Sequence, residues 1–179
     1  MTQKIICAGF GGQGVLLIGQ VLTYAGMIEG KEVSWLPSYG PEMRGGTANC
    51  SVIISDEPIG APIVTVADVA IVMNKPSLEK FENVVAAKGN LIINESLIVD
   101  KSDRDDIDII YVKANHIAAD IGNPKVANVV MLGAYLEKCG VVSLESVING
   151  LRKVLGEKKE KFMPMNQEAI KKGGEVVKA

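Results

Sequence analysis

Two rhythms of apolar and polar residues run along this chain. Residues 5–8 (Ile5-Ile6-Cys7-Ala8) form a short unbroken apolar run, as in a strand covered on both faces. From Gln13 to about Glu29 the apolar residues recur at helical spacing, and Gly30 stands where such a helix stops. Residues 32–36 read as a second strand, ended by Pro37. Strand, helix and strand together predict a βαβ unit, a parallel pair joined by a right-handed crossover. Residues 47–55 are strongly strand-like, 70–74 form another apolar strand, and a helix with proline in its first turn is predicted over 76–86. Further strands are expected at 90–94, after Gly89, and at 108–112, with a charged surface turn over 100–106 between them. A helix over 124–139 is closed by Gly140, and Ser143 is placed to cap a helix that runs to about 155. The tail from Gly156 is rich in lysine and glutamate, with a short helix expected over 166–172.

Strands alternating with helices predict an α/β fold. The expected architecture is Rossmann-like and three-layered, a mainly parallel sheet with helices on both faces. There is no internal repeat and no linker, so residues 1–179 read as one domain that ends in the charged tail. In such sheets ligands sit at the carboxyl ends of the strands. Ser38 and Tyr39, Asn74 and Lys75, and Asn94, Glu95 and Ser96 all fall at such ends. They either line one crevice or serve as ordinary caps and turns.

Composition narrows the possible functions. Apolar residues make up 47 % of the 179, enough for a substantial core. The net charge of −2, from 19 basic and 21 acidic residues, offers no counter-charge to a polyphosphate, which argues against nucleic-acid binding. No basic region precedes an apolar segment, and the longest apolar stretch, 15–28, is interrupted by Gly19, Gln20, Thr23, Tyr24 and Gly26. A chain that neither enters nor spans a membrane is expected, and with it a cytoplasmic location. Cys7, Cys50 and Cys139 lie far apart with no C-x-x-C, and His116 is the single histidine, so no metal site is expected and the cysteines read as reduced, mostly buried thiols. His116 follows Asn115 at the start of a predicted helix, where it is either an acid–base group or a surface or capping residue.

Two motifs carry chemistry. In Gly9-Phe10-Gly11-Gly12-Gln13-Gly14-Val15 the spacing of Gly9, Gly11 and Gly14 is G-x-G-x-x-G. Glycines there allow close approach of a backbone or ligand, and the helix that follows offers unpaired N–H groups to a phosphate or carboxylate. Gly9, Gly11, Gly12, Gln13 and Gly14 are therefore the candidate cofactor-binding residues. A dinucleotide site also needs an acidic residue at the end of the second strand. Here that strand ends in Leu36 and Pro37, and Glu29 and Glu32 come too early. The second motif is the loop Pro37-Ser38-Tyr39-Gly40-Pro41-Glu42-Met43-Arg44-Gly45-Gly46, stiffened by prolines and turned by glycines. Arg44 is suited to grip a carboxylate or phosphate, or else to pair with Glu42 or a neighbouring subunit. Trp35 and Tyr39 flank Pro37 as either an interface contact or local packing.

With these motifs in this order the sequence resembles the gamma subunit of 2-oxoacid:ferredoxin oxidoreductases. The resemblance is carried by residues 9–15 and by Ser38-Tyr39-Gly40-Pro41-Glu42-Met43-Arg44-Gly45-Gly46-Thr47-Ala48-Asn49-Cys50. It continues through Gly122-Asn123 and Asn128-Val129-Val130-Met131-Leu132-Gly133-Ala134, so that it spans about 5–155. The wording of the second motif looks closest to the 2-oxoglutarate or 2-oxoisovalerate branch. The resemblance implies a subunit, inactive alone, of an enzyme that decarboxylates a 2-oxoacid, forms an acyl-CoA and passes electrons to ferredoxin. Thiamine diphosphate, Mg2+ and iron–sulfur clusters would belong to alpha, beta and ferredoxin-like delta subunits. CoA would be the acyl acceptor, and this chain by itself would hold no cofactor. It further implies that Ser38, Tyr39, Gly40, Pro41, Glu42, Arg44, Gly45 and Gly46 reach an interface or the active centre; beside it, the strand ends leave Asn74 and Asn94 as crevice candidates, and the residues offer no nucleophile–base pair and no metal site in this chain. The isolated chain is expected to be capable of forming a homodimer through its partner-facing surface. The alternatives are a free-standing NAD(P)- or FAD-dependent enzyme and a regulatory ligand-binding domain.

Overall fold

The computed structural model describes residues 1–40 and 46–178. Its strands are β1 (Thr2–Phe10), β2 (Glu32–Tyr39), β3 (Thr47–Ser55), β4 (Ala67–Val72), β5 (Val85–Asn94) and β6 (Asp108–Val112). Its helices are α1 (Val15–Ile28), α2 (Lys75–Phe81), α3 (Ala114–Ile121), α4 (Ala127–Cys139), α5 (Leu144–Leu155) and α6 (Met163–Lys178). The strands form one sheet in the order β2-β3-β1-β4-β5-β6. Pairings from β1 through β4 and β5 to β6 are parallel, whereas β3 is antiparallel to both β1 and β2. Five strands therefore point one way and β3 points the other.

The expected pairing of the first two strands is overturned, because β3 lies between them. The connection over 40–46 is too short for a parallel crossover, so β3 must return antiparallel to β2. Its other edge then meets β1, with Cys7 opposite Cys50. The second strand also runs on through Pro37 to Tyr39 rather than stopping at the proline. Gly40 N–H donates to the Thr47 carbonyl at 2.8 Å, which makes the even positions of β2 the hydrogen-bonded ones. Pro37 falls between them, and its missing N–H faces the open edge of an edge strand.

The two faces of the sheet are covered unevenly. Ile5, Cys7, Val52, Ile54, Val69, Ile71 and Ile92 point to one face, where α1, α3, α4, α5 and α6 complete the main core. The other face carries Ile6, Ala8, Ala70, Val72, Leu91 and Ile93, covered by Leu78 and Phe81 of α2 and by Val64 and Ile98 from connecting segments. Leu36, Ile63, Val66, Leu97 and Val99 remain exposed in the elements that border this second face.

Other boundaries also differ from the sequence reading. The helix expected over 76–86 ends at Phe81, and a 3-10 turn over Glu82–Val84 leads directly into β5. Gly89 therefore lies inside β5, where a Cβ would stand 2.8 Å from the carbonyl oxygens of Ala86 and Asp68. The short helix expected over 166–172 is the 16-residue α6, whose charged residues coat its outer side while Ala169, Ile170 and Gly173 are buried. Gly133 of α4 meets the backbone of Ile170, and Gly173 of α6 meets the backbone of Val130, so the two helices pack with main chains in near contact. Ser143 caps α5 as expected, its hydroxyl accepting from Ser146 N–H at 3.1 Å. Cys7 and Cys50 are buried and free, and burial pushes the half-buried Cys139 thiol up to about 12. Among the described residues no helix is long and apolar enough to cross a membrane.

Candidate functional site

The glycine turn sits at the carboxyl end of β1 and opens α1. Its shape is fixed from inside by one side chain. Phe10 N–H donates to Gln13 Oε1 at 2.6 Å, and Gln13 N–H donates back to the Phe10 carbonyl at 3.1 Å. Gln13 Nε2 points to the Met73 carbonyl at 3.4 Å, and Asn74 Nδ2 donates to Gln13 Oε1 at 3.3 Å. Gln13 thus ties the end of β1 to the end of β4, and its side chain is spent within the protein rather than offered to a ligand. Asn74 is drawn to the same point while its Oδ1 accepts from Ser77 N–H at 2.9 Å, capping α2. Asn74 therefore serves as the cap of α2 and is buried behind the turn.

The turn closes on Gly14, whose φ of 76° is left-handed and suits a residue without a Cβ. Asn128, in the first turn of α4, donates from Nδ2 to the Gly14 carbonyl at 3.2 Å and packs where a Gly14 Cβ would stand. Gly11 N–H is occupied by the Gly46 carbonyl at 2.8 Å, which joins the turn to the loop before β3. The N–H groups of Gly12, Gly14, Val15 and Leu16 take no partner among the described residues. No carboxylate lies in the first turn of α1 to neutralise its positive end. These groups border a pocket of about 250 Å3 that Phe10, Tyr39, Thr47 and Ala48 complete. Its lining joins these backbone groups to apolar Phe10, Val15, Leu16 and Ala48 and to the hydroxyl-bearing Tyr39 and Thr47, and the unpartnered N–H donors suit an anion.

The structure brings Gly11, Gly12, Gly14 and Tyr39 together around this pocket. Gly9 lies just behind it, where a Cβ would meet Gln13, Met73 and Val15. Ser38 and Gly40 continue along β2 and its end, opposite Asn49 and Thr47 respectively. Pro41, Glu42, Arg44 and Gly45 lie outside the described residues. Asn94 does not join the turn. It is fully buried at the end of β5, donates to Asn115 Oδ1 at 2.8 Å and accepts from Ser96 N–H at 3.3 Å. His116 belongs to that second group: its Nδ1 lies 2.8 Å from Ser96 Oγ, which also accepts from Asn115 N–H at 3.1 Å. Ser96 thereby caps the start of α3.

Sequence reasoning missed Thr47 and Ala48 as pocket residues, and Asn128 as a turn-holding one. Placing the first two required knowing that β3 is the neighbour of β1. Asn128 had a signal of its own, a lone amide in the apolar run Val126-Ala127-Asn128-Val129-Val130.

The position of β3 also decides against the dinucleotide reading. A ribose-binding carboxylate would come from a strand parallel to β1 and beside it, and that place is taken by the start of an antiparallel strand bearing Thr47 and Ala48.

A family model described as pyruvate ferredoxin/flavodoxin oxidoreductase matches residues 4–176. The chain belongs to this family. It is 37 % identical over 174 residues to the ketoisovalerate oxidoreductase subunit VorA of Methanothermobacter marburgensis, covering 96 % of this chain and 36 % of that one. The chain thus spans about a third of that relative's length. With the 2-oxoglutarate synthase subunit KorC of Methanocaldococcus jannaschii it shares 35 % identity over 185 residues, covering 99 % of this chain and 95 % of that one. The crystal structure of the keto/oxoacid ferredoxin oxidoreductase gamma subunit from Geobacter sulfurreducens superposes with a TM-score of 0.82 at 29 % identity, over 98 % of both chains. The mixed six-stranded sheet is the fold of that subunit.

Proposed function

We propose that this chain is the gamma subunit of a multi-subunit 2-oxoacid:ferredoxin oxidoreductase, with residues 1–179 acting as one gamma-type domain. The observation that carries the reading is the end-to-end correspondence with KorC, which covers 95 % of that subunit, against 36 % of VorA. It favours 2-oxoglutarate as the 2-oxoacid. The complex decarboxylates this substrate with CoA to give acyl-CoA and CO2, and its electrons go to ferredoxin. Alpha, beta and ferredoxin-like delta subunits are the partners, in the cytoplasm.

The donor set of this chain does not fit an iron–sulfur cluster, which needs four thiolates where this sequence has three cysteines. Two of these face each other inside the core. The clusters therefore belong to the partner chains, and the family resemblance assigns thiamine diphosphate and Mg2+ to those chains as well. The role of this chain is to bind and position. The free N–H groups at Gly12, Gly14, Val15 and Leu16 face an anionic group at the complex's active centre, and Tyr39 and Thr47 line the same pocket. The exposed Leu36, Ile63, Val66, Leu97 and Val99 give the thinly covered side of the sheet the apolar character of a subunit interface. The same side is available for a homodimer when the chain is alone.

Arg44→Ala in the assembled enzyme tests the loop. We expect assembly to persist and the KM for CoA or the 2-oxoacid to rise about tenfold, the scale of one lost charge-assisted hydrogen bond. Unchanged assembly together with an unchanged dependence on both substrates would remove the loop from the site.

A further inference from the structure

Gln13 does not line the pocket beside the glycine turn, yet the turn is built around its side chain. A Cβ on Gly9 would stand 2.6 Å from Gln13 Oε1, so the first glycine of the motif leaves room for this side chain rather than for a ligand. The oxygen seated there takes two donors from different elements. Phe10 N–H, at the end of β1, lies at 2.6 Å, and Asn74 Nδ2, at the cap of α2, lies at 3.3 Å. The contact of Nε2 with the Met73 carbonyl is the longest of the set, at 3.4 Å. The acceptor oxygen is therefore the operative group.

The clasp with Phe10 is reciprocal, since Gln13 N–H donates back to the Phe10 carbonyl at 3.1 Å. That carbonyl and Gly11 N–H belong to one planar trans peptide group and point in opposite directions. Holding the carbonyl toward Gln13 aims Gly11 N–H the other way, where it donates to the Gly46 carbonyl at 2.8 Å. Gly46 precedes Thr47, which lines the pocket together with Gly11 and Gly12. One side chain thus sets the spacing between the two motifs at the pocket without facing the pocket itself.

We propose that Gln13 is a positioning residue for the reaction: through the peptide between Phe10 and Gly11 it fixes the glycine turn against Gly46 and Thr47, and so the fit of the anionic group between them. This rests on the reading of the pocket as part of a 2-oxoacid oxidoreductase. A residue at position 13 without an acceptor oxygen frees that peptide and loosens the fit, yet removes no group that touches a substrate.

The test has two arms. In the full chain alone, hydrogen exchange at Gly11 N–H reports the clasp. Gln13→Met has similar length and no oxygen, and is expected to quicken that exchange about tenfold while the core amides of β1 and β4 keep their protection. Gln13→Glu keeps an acceptor oxygen and is expected to exchange like the parent. In the assembled enzyme, Gln13→Met is expected to raise the KM for CoA or the 2-oxoacid about tenfold with kcat within about twofold of the parent. Unchanged Gly11 exchange in Gln13→Met, or equal loss of protection in Gln13→Glu, overturns the role of the acceptor oxygen. An active parent whose KM and kcat ignore Gln13→Met, or lose only kcat, overturns the positioning role. A parent complex inactive on every 2-oxoacid is a different result, since it overturns the oxidoreductase reading itself.

Discussion

Gly173→Ala is expected to destabilise the chain by about 3 kcal/mol, the upper range for overpacking a closed interface. In an ordinary helix interior the same change stabilises by up to about 1 kcal/mol, because alanine loses less backbone entropy than glycine. Here the added methyl would drive into the carbonyl of Val130 and the backbone of Ala134, which cannot move without parting α6 from α4. The neighbouring Gly174 provides the contrast. A Cβ there would meet Glu137 at 3.6 Å, an ordinary contact, so Gly174→Ala should keep the usual stabilising sign. Urea unfolding of the two variants reads both signs in one experiment. If Gly173→Ala proved as stable as the parent, the close packing of α6 on α4 would be wrong.

The second large effect is expected at Gly14→Ala. The left-handed φ of 76° costs an L residue about 1–2 kcal/mol. The new methyl also strikes the Asn128 amide, which must leave its bond to the Gly14 carbonyl. We expect a total loss of about 3 kcal/mol, with the clash and the lost hydrogen bond making up the remainder. Asn128→Ala removes the obstacle but not the backbone strain. The double variant should therefore be more stable than the sum of the two single losses predicts, by about 1 kcal/mol. Strict additivity in thermal unfolding would show that the turn and α4 are not coupled through Asn128.

Much of this was legible in the chain. The apolar runs at 5–8, 47–55, 70–74, 90–94 and 108–112 all lie within or at the end of strands, because a strand covered on both faces needs little else. Strand direction was not legible in those runs, since a buried strand looks the same read either way. The clue lay in the shortness of the 40–46 connection, which permits a hairpin and forbids a crossover. Pro37 misled for a related reason: it ends a central strand but not an edge strand whose bonded positions are the even ones. The length of α6 was hidden because its buried face mixes Met163 and Ile170 with Asn166 and the small Ala169, Gly173 and Gly174, which dilute the hydrophobic signal. At the site, the glycine spacing located the turn correctly. It did not reveal that Gln13 is an internal strut, because a glutamine facing inward and one facing a ligand are the same letter.

The central claim is that this chain works as one subunit of a larger oxidoreductase. An anoxic pull-down of the tagged chain from its native cell tests it most directly, with reduction of a viologen dye assayed on 2-oxoglutarate, pyruvate and 2-oxoisovalerate, each with and without CoA. The account predicts co-purification of chains that carry thiamine diphosphate and iron–sulfur clusters, with CoA-dependent dye reduction fastest on 2-oxoglutarate. A chain recovered without partners and without such activity would contradict it.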